Sequence, residues 1–322
     1  MAIDTIVKNC KVVKPNGIFS TGIAIENGKI ALLVPDAHLP SAKQTIDAKG
    51  NYVLPGLVDS HTHLAWWPKR SDFVPTVQSE TKSFAAGGCT TIVHMLHGGA
   101  DVLEQVTEYR RAYSTNGYTD IAFSAQIVSL DQVKQFRQVV EAGITAFKFH
   151  MPYRVGQPMV KDLPQIDDGL MYLGFEEIAR LAKEGHNVYA RVHCENIEIF
   201  SRLKDRFIEQ GIEPSSWTEP RPNVVEAEAI NRVIFLGEVT GCPVCIIHMS
   251  TKDGVDLVSR ARGEGVNVIA ETCPQYLTLN VDNSDILAKV EPPIRHKEDN
   301  EKLWEAVREG VVTMIGTDHA PP

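Results

Sequence analysis

The feature that most constrains this fold is a regular alternation of short apolar runs and helical patterns, which begins near Tyr52 and continues along the rest of the chain. The apolar runs are often rich in β-branched residues. Such runs are typical of strands in a parallel sheet that is buried on both faces. They predict strands at 53–60, 90–95, 121–128, 144–149, 188–193, 244–248, 266–271 and 311–317.

Helical patterns fill the intervals between these runs, and glycines close several of them. The predicted helices span 76–87, 101–115, 130–142, 174–185, 196–210, 224–240, 251–264 and 297–309. Strand–helix alternation on this scale predicts right-handed βαβ units. Because eight strands are predicted, the α/β fold expected is a (β/α)8 TIM-like barrel rather than an open sheet.

The first part of the chain has a different texture, with short strand-like segments and turns. Strands are predicted at 3–7, 11–14, 22–26 and 29–34, and Asn27-Gly28 is a strong hairpin signal between the last two. This region has too little apolar material to fold alone. We therefore predict a small β-sandwich-like domain over 1–52 and a separate barrel domain over 53–322.

Composition and charge exclude several classes of protein. The 322 residues are 43% hydrophobic and 23% charged, with a formal net charge of -9, which argues against nucleic acid or an anionic membrane as the main partner. The chain has neither a signal-like amino terminus nor an apolar run of about 18 residues. Cys242 and Cys245 form a C-x-x-C without a second pair, so buried thiols are expected rather than a zinc or redox site. These features predict a cytoplasmic protein with reduced thiols.

Candidate catalytic residues stand where predicted strands end, which is the position of active sites in (β/α)8 enzymes. His61 and His63 end the first strand, and alternate residues of an extended segment face the same side. Two converging imidazoles suit zinc and similar ions. A single H-x-H is also compatible with two incidental polar residues at a strand end.

The interpretation of this histidine pair as metal ligands is strengthened because similar groups end other predicted strands. Lys148 stands between Phe147 and Phe149 on an apolar strand, where a buried ammonium is costly unless it is paired with a carboxylate or has a lowered pKa. A lysine of lowered pKa could react with carbon dioxide to form an anionic carbamate. Metal-type groups also end the fifth, sixth and eighth strands: His193, His248 and Asp318. Five strand ends with such groups do not fit a set of independent capping residues.

Four segments of the chain resemble the cyclic amidohydrolases, a family that includes hydantoinase, dihydropyrimidinase, allantoinase and dihydroorotase. The segment LPGLVDSHTH at 54–63 is similar to the family signature. The segments AGGCTT at 86–91, ETCPQYL at 271–277 and GTDHAP at 316–321 resemble family segments in the same order. The resemblance covers essentially the whole chain.

The resemblance implies a hydrolase that opens a cyclic amide or imide C–N bond of the hydantoin or dihydropyrimidine type. It implies a metal set of His61, His63, Lys148, His193, His248 and Asp318. In the family, the first two histidines and the aspartate bind one ion, usually zinc, and the last two histidines bind the second. The lysine bridges both ions as its carbamate, which requires carbon dioxide. A bridging hydroxide is the nucleophile, and Asp318 transfers its proton to the leaving nitrogen.

Two further positions receive roles from the resemblance. Tyr153, five residues after Lys148, corresponds to a tyrosine that donates a hydrogen bond to the developing oxyanion in hydantoinases and dihydropyrimidinases. A surface tyrosine on a loop is the simpler alternative. Thr272, at the end of the seventh predicted strand, is expected to line the substrate pocket through its backbone.

The choice among cyclic amides depends on the segment after the histidine pair. Dihydroorotase would place an arginine at position 65, where this chain has Ala65, and Arg70 is out of register. Trp66 and Trp67 could line a pocket for an apolar ring substituent, or could simply pack the loop. The hydantoinase and dihydropyrimidinase branch is the closest match.

Four alternatives remain: an allantoinase, a dihydroorotase-like enzyme, a deaminase, and a non-catalytic dihydropyrimidinase-related scaffold protein. The retained ligand set argues against the scaffold, and Lys148 argues against a deaminase.

Members of the resembled family are usually longer than this chain. The resemblance therefore implies a barrel truncated after its eighth strand, without the last helix and without the strands that complete the small β domain. Such a product is expected to be poorly soluble or weakly active. The full-length form is expected to be a homo-oligomer, a dimer or a tetramer, that acts on a small-molecule cyclic amide.

Overall fold

The computed structural model describes residues 3–64, 73–97, 101–152, 166–212, 217–285 and 287–321. It contains two compact units, Met1–Leu57 and Val58–Pro322. The domain limits predicted from the sequence, 1–52 and 53–322, remain a prediction.

The first unit consists of two small β-sheets. Its strands are β1 (Ile3–Lys8), β2 (Lys11–Lys14), β3 (Gly17–Ser20), β4 (Gly22–Glu26), β5 (Lys29–Val34), β6 (Ala42–Asp47) and β7 (Tyr52–Val53). One sheet has the order β5-β4-β1-β6 and the other the order β3-β2-β7. Asn27 and Gly28, with φ of 50° and 72°, form the predicted hairpin turn between β4 and β5.

Three strands of this unit were not predicted from the sequence: β3, β6 and β7. Strand β6 has the sequence AKQTID and is mostly exposed, so it lacks the apolar alternation that marks a strand. It is nevertheless held by parallel pairing with β1, from Ile3 opposite Ala42 to Lys8 opposite Asp47. Pairing with a distant segment, rather than local propensity, makes it a strand.

The second unit is a barrel of parallel strands, as the sequence predicted. Its strands are β8 (Leu57–Thr62), β9 (Cys89–Leu96), β10 (Asp120–Gln126), β11 (Ala146–His150), β12 (Tyr189–His193), β13 (Val244–Ile246), β14 (Val268–Thr272) and β15 (Met314–Ile315). They lie side by side in chain order. The first and last strands approach each other where His63 N donates to His319 O at 2.7 Å and Asp318 N donates to His61 O at 3.0 Å. The result is a nearly closed barrel.

Helices connect the barrel strands. They are α1 (Phe73–Ala86), α2 (Val102–Asn116), α3 (Leu130–Val133), α4 (Phe136–Glu141), α5 (Asp168–Lys183), α6 (Ile197–Glu209), α7 (Asn223–Thr240), α8 (Lys252–Gly263), α9 (Pro274–Thr278) and α10 (Lys297–Glu309). The single helix predicted over 130–142 is wrong: a tight turn in which Gln135 N donates to Gln132 O divides it into α3 and α4. The short helix α9, which begins at Pro274, was not predicted.

The last strand is much shorter than the run predicted over 311–317. Val311 N and Val312 N both bond back to Ala306 O at the end of α10, so these two residues complete the helix terminus. After Ile315 the chain turns toward β8. In the register with β14, Met314 lies opposite Glu271 and Ile315 lies opposite Thr272.

The barrel core is packed by aromatic and aliphatic side chains. Phe136 stacks on Phe147 with ring centroids 4.0 Å apart, and Phe149 meets Phe175 edge to face at 5.5 Å. A Cβ at Gly174 would lie 2.6 Å from the Phe149 ring, so this helix position requires glycine.

All six cysteines are free and buried, so Cys242 and Cys245 are buried as predicted. Among the described helices, none is long and apolar enough to cross a membrane.

Candidate active site

The His61 and His63 side chains converge at the end of β8, as their spacing predicted. Their Nε2 atoms are 3.2 Å apart, and both side chains are buried. The backbone N–H of His63 is fixed by its bond to the residue after Asp318. This arrangement leaves two imidazole nitrogens facing the same point.

Asp318 lies at that point, delivered by the turn that follows β15. Its Oδ1 is 3.2 Å from His61 Nε2 and 3.1 Å from His63 Nε2. The ligand atoms of the three residues lie within 4.8 Å of one another. Asp318 has a φ of 55°, a backbone conformation that residues other than glycine rarely adopt. Such conformations often occur at functional sites.

Lys148 joins the same cluster from β11. Its Nζ is 3.1 Å from His61 Nε2 and 3.3 Å from His63 Nε2, and the residue is 3% exposed. Burial lowers the pKa of Lys148 to about 8, although the Asp318 carboxylate acts in the opposite direction. The lowered pKa increases the fraction of the Lys148 amine that is neutral near neutral pH.

His193 and His248 form a second pair beside the first. Their ring centroids are 4.4 Å apart, and the His248 ring stacks on His61 at 5.3 Å. His248 has a φ of 39°, so it shares its unusual backbone conformation with Asp318. Its Nδ1 is buried and has no hydrogen-bond partner among the residues that the structure describes.

Burial keeps these imidazoles in the form that binds metals. Burial is the largest cause that lowers the pKa of these four histidines well below the ordinary value: His61, His63, His193 and His248. The Lys148 ammonium lowers the pKa of each of them further. Neutral imidazoles, a carboxylate and a lysine of lowered pKa make a donor set that fits divalent ions such as zinc. The unpartnered His248 nitrogen supports the same interpretation.

The sequence analysis missed Glu271, a fully buried carboxylate on β14 that supports His61. Its Oε1 lies 2.8 Å from His61 Nδ1, and its Oε2 accepts bonds from Ser60 Oγ at 2.5 Å and Arg191 Nη2 at 2.7 Å. A carboxylate on the far nitrogen of a metal-ligating histidine fixes its tautomer and orientation. The signal was available, since Arg191 and Glu271 interrupt apolar strands just as Lys148 does.

A second missed carboxylate, Glu195, supports His193. Glu195 Oε2 is 2.8 Å from His193 Nε2. Arg221 lies on its other side, with Nη1 at 3.4 Å from Oε2, and also bonds Glu291 Oε1 at 2.6 Å. The Arg221 guanidinium packs over the Phe200 ring at 4.0 Å. Two residues after a strand-end histidine, Glu195 carried a weak sequence signal.

Asp59 fixes the seam between the first and last strands. Its Oδ1 accepts from His61 N and from Thr317 N, both at 3.0 Å, and its Oδ2 accepts from Thr317 Oγ1 at 2.6 Å. At Gly316 a Cβ would lie 2.7 Å from His61 Cβ, so only glycine lets the last strand approach so closely. These contacts place Asp318 against the histidine pair.

Further buried histidines surround the cluster. His94 Nδ1 accepts a bond from Leu64 N at 3.1 Å, and the His94 ring stacks on Tyr109. The His150 ring lies 4.1 Å from that of His193. Burial lowers the pKa of both His94 and His150 well below the ordinary value.

The other residues with candidate roles predicted from the sequence are those expected near the substrate. Thr272 is buried at the end of β14, where its Oγ1 donates to Met249 O at 2.7 Å and its carbonyl accepts from Gly316 N at 3.1 Å. Tyr153, Trp66 and Trp67 lie outside the described residues. The structure thus brings together the six predicted metal ligands, while the substrate-binding role of Tyr153 and Thr272 stays a prediction.

Comparison with known proteins places this geometry in context. The curated relatives include L-hydantoinase of Paenarthrobacter aurescens, 31% identical over 322 residues that cover 98% of this chain and 68% of the relative. They also include allantoinase of Escherichia coli O9:H4 (strain HS), 32% identical over 328 residues that cover all of this chain and 70% of the relative.

Solved structures of similar proteins share the fold. L-Hydantoinase (dihydropyrimidinase) from Arthrobacter aurescens superimposes with a TM-score of 0.85 at 31% identity, covering 98% of this chain and 69% of that one. Dihydropyrimidinase from Brevibacillus agri NCHU1002 gives 0.84 at 28% identity, covering 99% and 69%. The amidohydrolase family model matches residues 52–321. This chain therefore belongs to the amidohydrolase family, as one of its cyclic amidohydrolases.

Proposed function

We propose that this protein hydrolyses a ring C–N bond of a cyclic amide or imide of the hydantoin or dihydropyrimidine type. The observation that carries the proposal is the convergence of His61, His63, Lys148 and Asp318, whose nitrogen and oxygen atoms lie about one hydrogen-bond length apart inside the barrel. Family membership supports the same reaction class.

Two divalent ions, most readily zinc, fit the donor set. We propose that His61, His63 and Asp318 hold one ion, that His193 and His248 hold the other, and that Lys148 serves both as its carbamate. Bound there, the ions would supply a bridging hydroxide as the nucleophile and polarise the amide carbonyl. The lowered pKa of Lys148 supports its reaction with carbon dioxide, because only the neutral amine attacks.

The chain's own residues perform the proton transfer in this proposal. The Asp318 carboxylate stands at the junction of the cluster and is partly exposed, so it can both take a proton and reach a substrate nitrogen. An amide nitrogen is a poor leaving group, and proton delivery from an Asp318 oxygen makes its departure feasible. Glu271 keeps His61 in one tautomer during this exchange, since its Oε1 occupies the far ring nitrogen.

Substrate binding is proposed for Tyr153 and Thr272. Tyr153 would donate a hydrogen bond to the oxygen that becomes negative when the amide is attacked, a contact that contributes a few kcal/mol (~3) to many acyl-transfer barriers. Thr272 would contribute through its backbone. The position of Thr272 at the carboxyl end of β14 supports the proposal, because barrel enzymes bind substrates at that end.

Allantoin is the second candidate substrate. The allantoinase of Escherichia coli O9:H4 matches this chain as well as L-hydantoinase does, at 32% against 31% identity. The two substrates share a hydantoin ring and differ in the ureido substituent, so residues that contact the substituent decide between them.

A turnover panel tests the proposed function. The chain is stripped of metal, reloaded with zinc in bicarbonate buffer, and assayed with hydantoin, dihydrouracil, allantoin and dihydroorotate. We expect ring opening of hydantoin or dihydrouracil above the zinc-only blank, and loss of that activity in Asp318→Asn. Glu228→Gln, a change at a partly exposed carboxylate, is the matched control. Absence of turnover with every substrate, in protein shown to hold two ions, contradicts the proposal.

We also propose that the protein assembles as a homo-oligomer, a dimer or a tetramer. Large exposed apolar side chains on α7, Phe235 and Val239, support this. Size-exclusion chromatography with light scattering measures the mass directly, and a monomer at micromolar concentration contradicts it.

A further inference from the structure

A buried carboxylate on the second histidine pair is not accounted for by the ligand set. Glu195 is 3% exposed and lies two residues after His193. Its Oε2 meets His193 Nε2 at 2.8 Å, which is ordinary hydrogen-bonding distance. A buried carboxylate needs partners, and this one has an imidazole on one side and a guanidinium on the other.

The bond decides which ring nitrogen of His193 is available. A carboxylate only accepts hydrogen bonds, so the proton of the neutral imidazole must reside on Nε2. Nδ1 then carries the lone pair and is the remaining donor atom for an ion. At His61 the geometry is reversed, because Glu271 occupies Nδ1 and leaves Nε2 toward Lys148 and Asp318.

Charges on neighbouring elements hold Glu195 in place. Arg221 Nη1 lies 3.4 Å from Glu195 Oε2, while Arg221 Nη2 bonds Glu291 at 2.6 Å. Arg221 is itself 6% exposed and packed over Phe200 and Trp217. A guanidinium fixed by two aromatic rings and a second carboxylate has little freedom to leave Glu195.

A neighbouring carboxylate provides a natural comparison. Glu226 is also buried and also pairs with an arginine, Arg295, at 3.2 Å. Its oxygens, however, accept from Ser250 N at 2.8 Å and Ser250 Oγ at 2.5 Å rather than from an imidazole. The two acids thus share burial and an arginine partner, and only one of them touches a histidine of the second pair.

We propose that Glu195 is a positioning residue for the second metal: it holds His193 in the tautomer and orientation that present Nδ1 to the ion. The inference rests on the proposed two-ion function. It concerns the affinity of one ion of the two, so its consequences differ from those of Glu271, which touches only the first pair.

Metal titration of stripped protein tests the proposal. Wild type, Glu195→Ala and Glu195→Gln are titrated with zinc against a chromogenic chelator, and with cobalt while the visible absorption of each bound ion is followed. We expect Glu195→Ala to bind the second ion about 10- to 100-fold more weakly with the first ion unchanged. Glu195→Gln, whose amide oxygen can still accept from Nε2, should recover part of the affinity and of the cobalt spectrum.

Two control variants separate positioning from a general effect on folding. Glu226→Gln changes a buried acid of the same kind, and Glu228→Gln changes a partly exposed acid that bonds the neighbouring Asn196. Both should bind two ions as the wild type does. The proposal is overturned if Glu195→Ala binds the second ion as tightly as the wild type and Glu226→Gln do. It is also overturned if Glu195→Ala loses affinity for both ions equally. If the wild type itself binds fewer than two ions with bicarbonate supplied, the proposed function fails as well.

Discussion

The two halves of the site are built in different ways. The first half, His61 with His63 and Asp318, is supported by Glu271 and by the backbone of neighbouring barrel strands. In the second half, His193 is supported by Glu195, which is linked through Arg221 to residues of the connecting segments between strands and helices.

The difference indicates where each half is rigid. The supports of the first half lie on strands β8, β12 and β14, so they move only if the barrel moves. Arg221 and Glu291 lie outside the strands and helices, and Glu291 is 38% exposed at its side chain. Connecting segments are generally more mobile than the strands they join. We therefore expect the second ion to be the more easily exchanged.

Lys148 contacts His61 and His63 and is proposed to serve the second ion as well, so its removal should have the largest effect. Lys148→Met preserves the apolar stem and removes the amine, so under the proposed function neither ion would keep the shared ligand. We expect kcat/KM to fall about 1000-fold or more, equivalent to ~4 kcal/mol of barrier. Intact-protein mass spectrometry should show the added carboxyl group only in the wild type.

The exposed Lys183→Met serves as the control and should retain activity. Activity in Lys148→Met within tenfold of the wild type would show that the two halves do not share this residue.

Glu271→Gln in the first half should lower the free energy of unfolding more than Glu195→Gln in the second half. It leaves the Arg191 guanidinium buried without its ionic partner, a change that costs about 3–5 kcal/mol in buried pairs. Glu195→Gln should cost less, because Arg221 keeps Glu291. Urea unfolding of the metal-free variants measures both values. Equal losses of unfolding free energy in the two variants would contradict the conclusion that the two halves are supported differently.

Acid should destabilise both halves of the metal-free protein together. Burial lowers the pKa of six histidines: His61, His63, His94, His150, His193 and His248. The unfolded chain therefore takes up their protons first, near pH 6.5, and the folded chain only at lower pH. Stability is present above pH 6.5 and is lost as the pH falls toward the folded-state values, by up to ~1.4 kcal/mol per pH unit for each histidine.

Chemical unfolding at pH 7.0, 6.5, 6.0 and 5.5 measures this slope. His94→Gln removes one of these imidazoles without touching the proposed ligand set, and its slope should be shallower than that of the wild type. Unfolding free energy that stays constant over this range would contradict the expectation.

Gly316→Ala should have a smaller effect than Lys148→Met or Glu271→Gln. The added methyl group would lie 2.7 Å from His61 Cβ, and overpacking of this kind typically costs about 1–3 kcal/mol. The first ion should bind more weakly while the second is unaffected. Gly263→Ala, whose Cβ would meet nothing within 4 Å, is the control, and thermal unfolding compares the two. A melting temperature of Gly316→Ala equal to that of the control would show that the seam is not tightly packed.

Much of the barrel, and the convergence of the candidate ligands, could be predicted from the sequence. Parallel strands present their carboxyl ends at one edge of the barrel, so residues that end different strands must come together there. The convergence of His61, Lys148 and His193 follows from that rule, whereas their roles as ligands were implied by the family resemblance. The hairpin at Asn27-Gly28 follows from a local preference for positive φ.

Other features depend on pairings that no local pattern reveals. Arg191 and Glu271 are 80 positions apart in the chain, and their ion pair is decided by which strand interiors face each other. The split between α3 and α4 depends on a turn, and the two-residue length of β15 depends on bonds from Val311 and Val312 to the preceding helix. Glu271 and Glu195 carry signals in the sequence, but only the side-chain distances show which histidine each carboxylate contacts.

The bonds of Asp59 have a consequence for folding. They join residues 258 positions apart, so His61 and Asp318 come together only when the two ends of the barrel meet. Contacts of such long range form late, because a large loop must first be closed. Ions that bind only the closed barrel stabilise it in proportion to the logarithm of their concentration. Metal uptake would thus be coupled to closure of the barrel, because the proposed ligands meet only in the closed form.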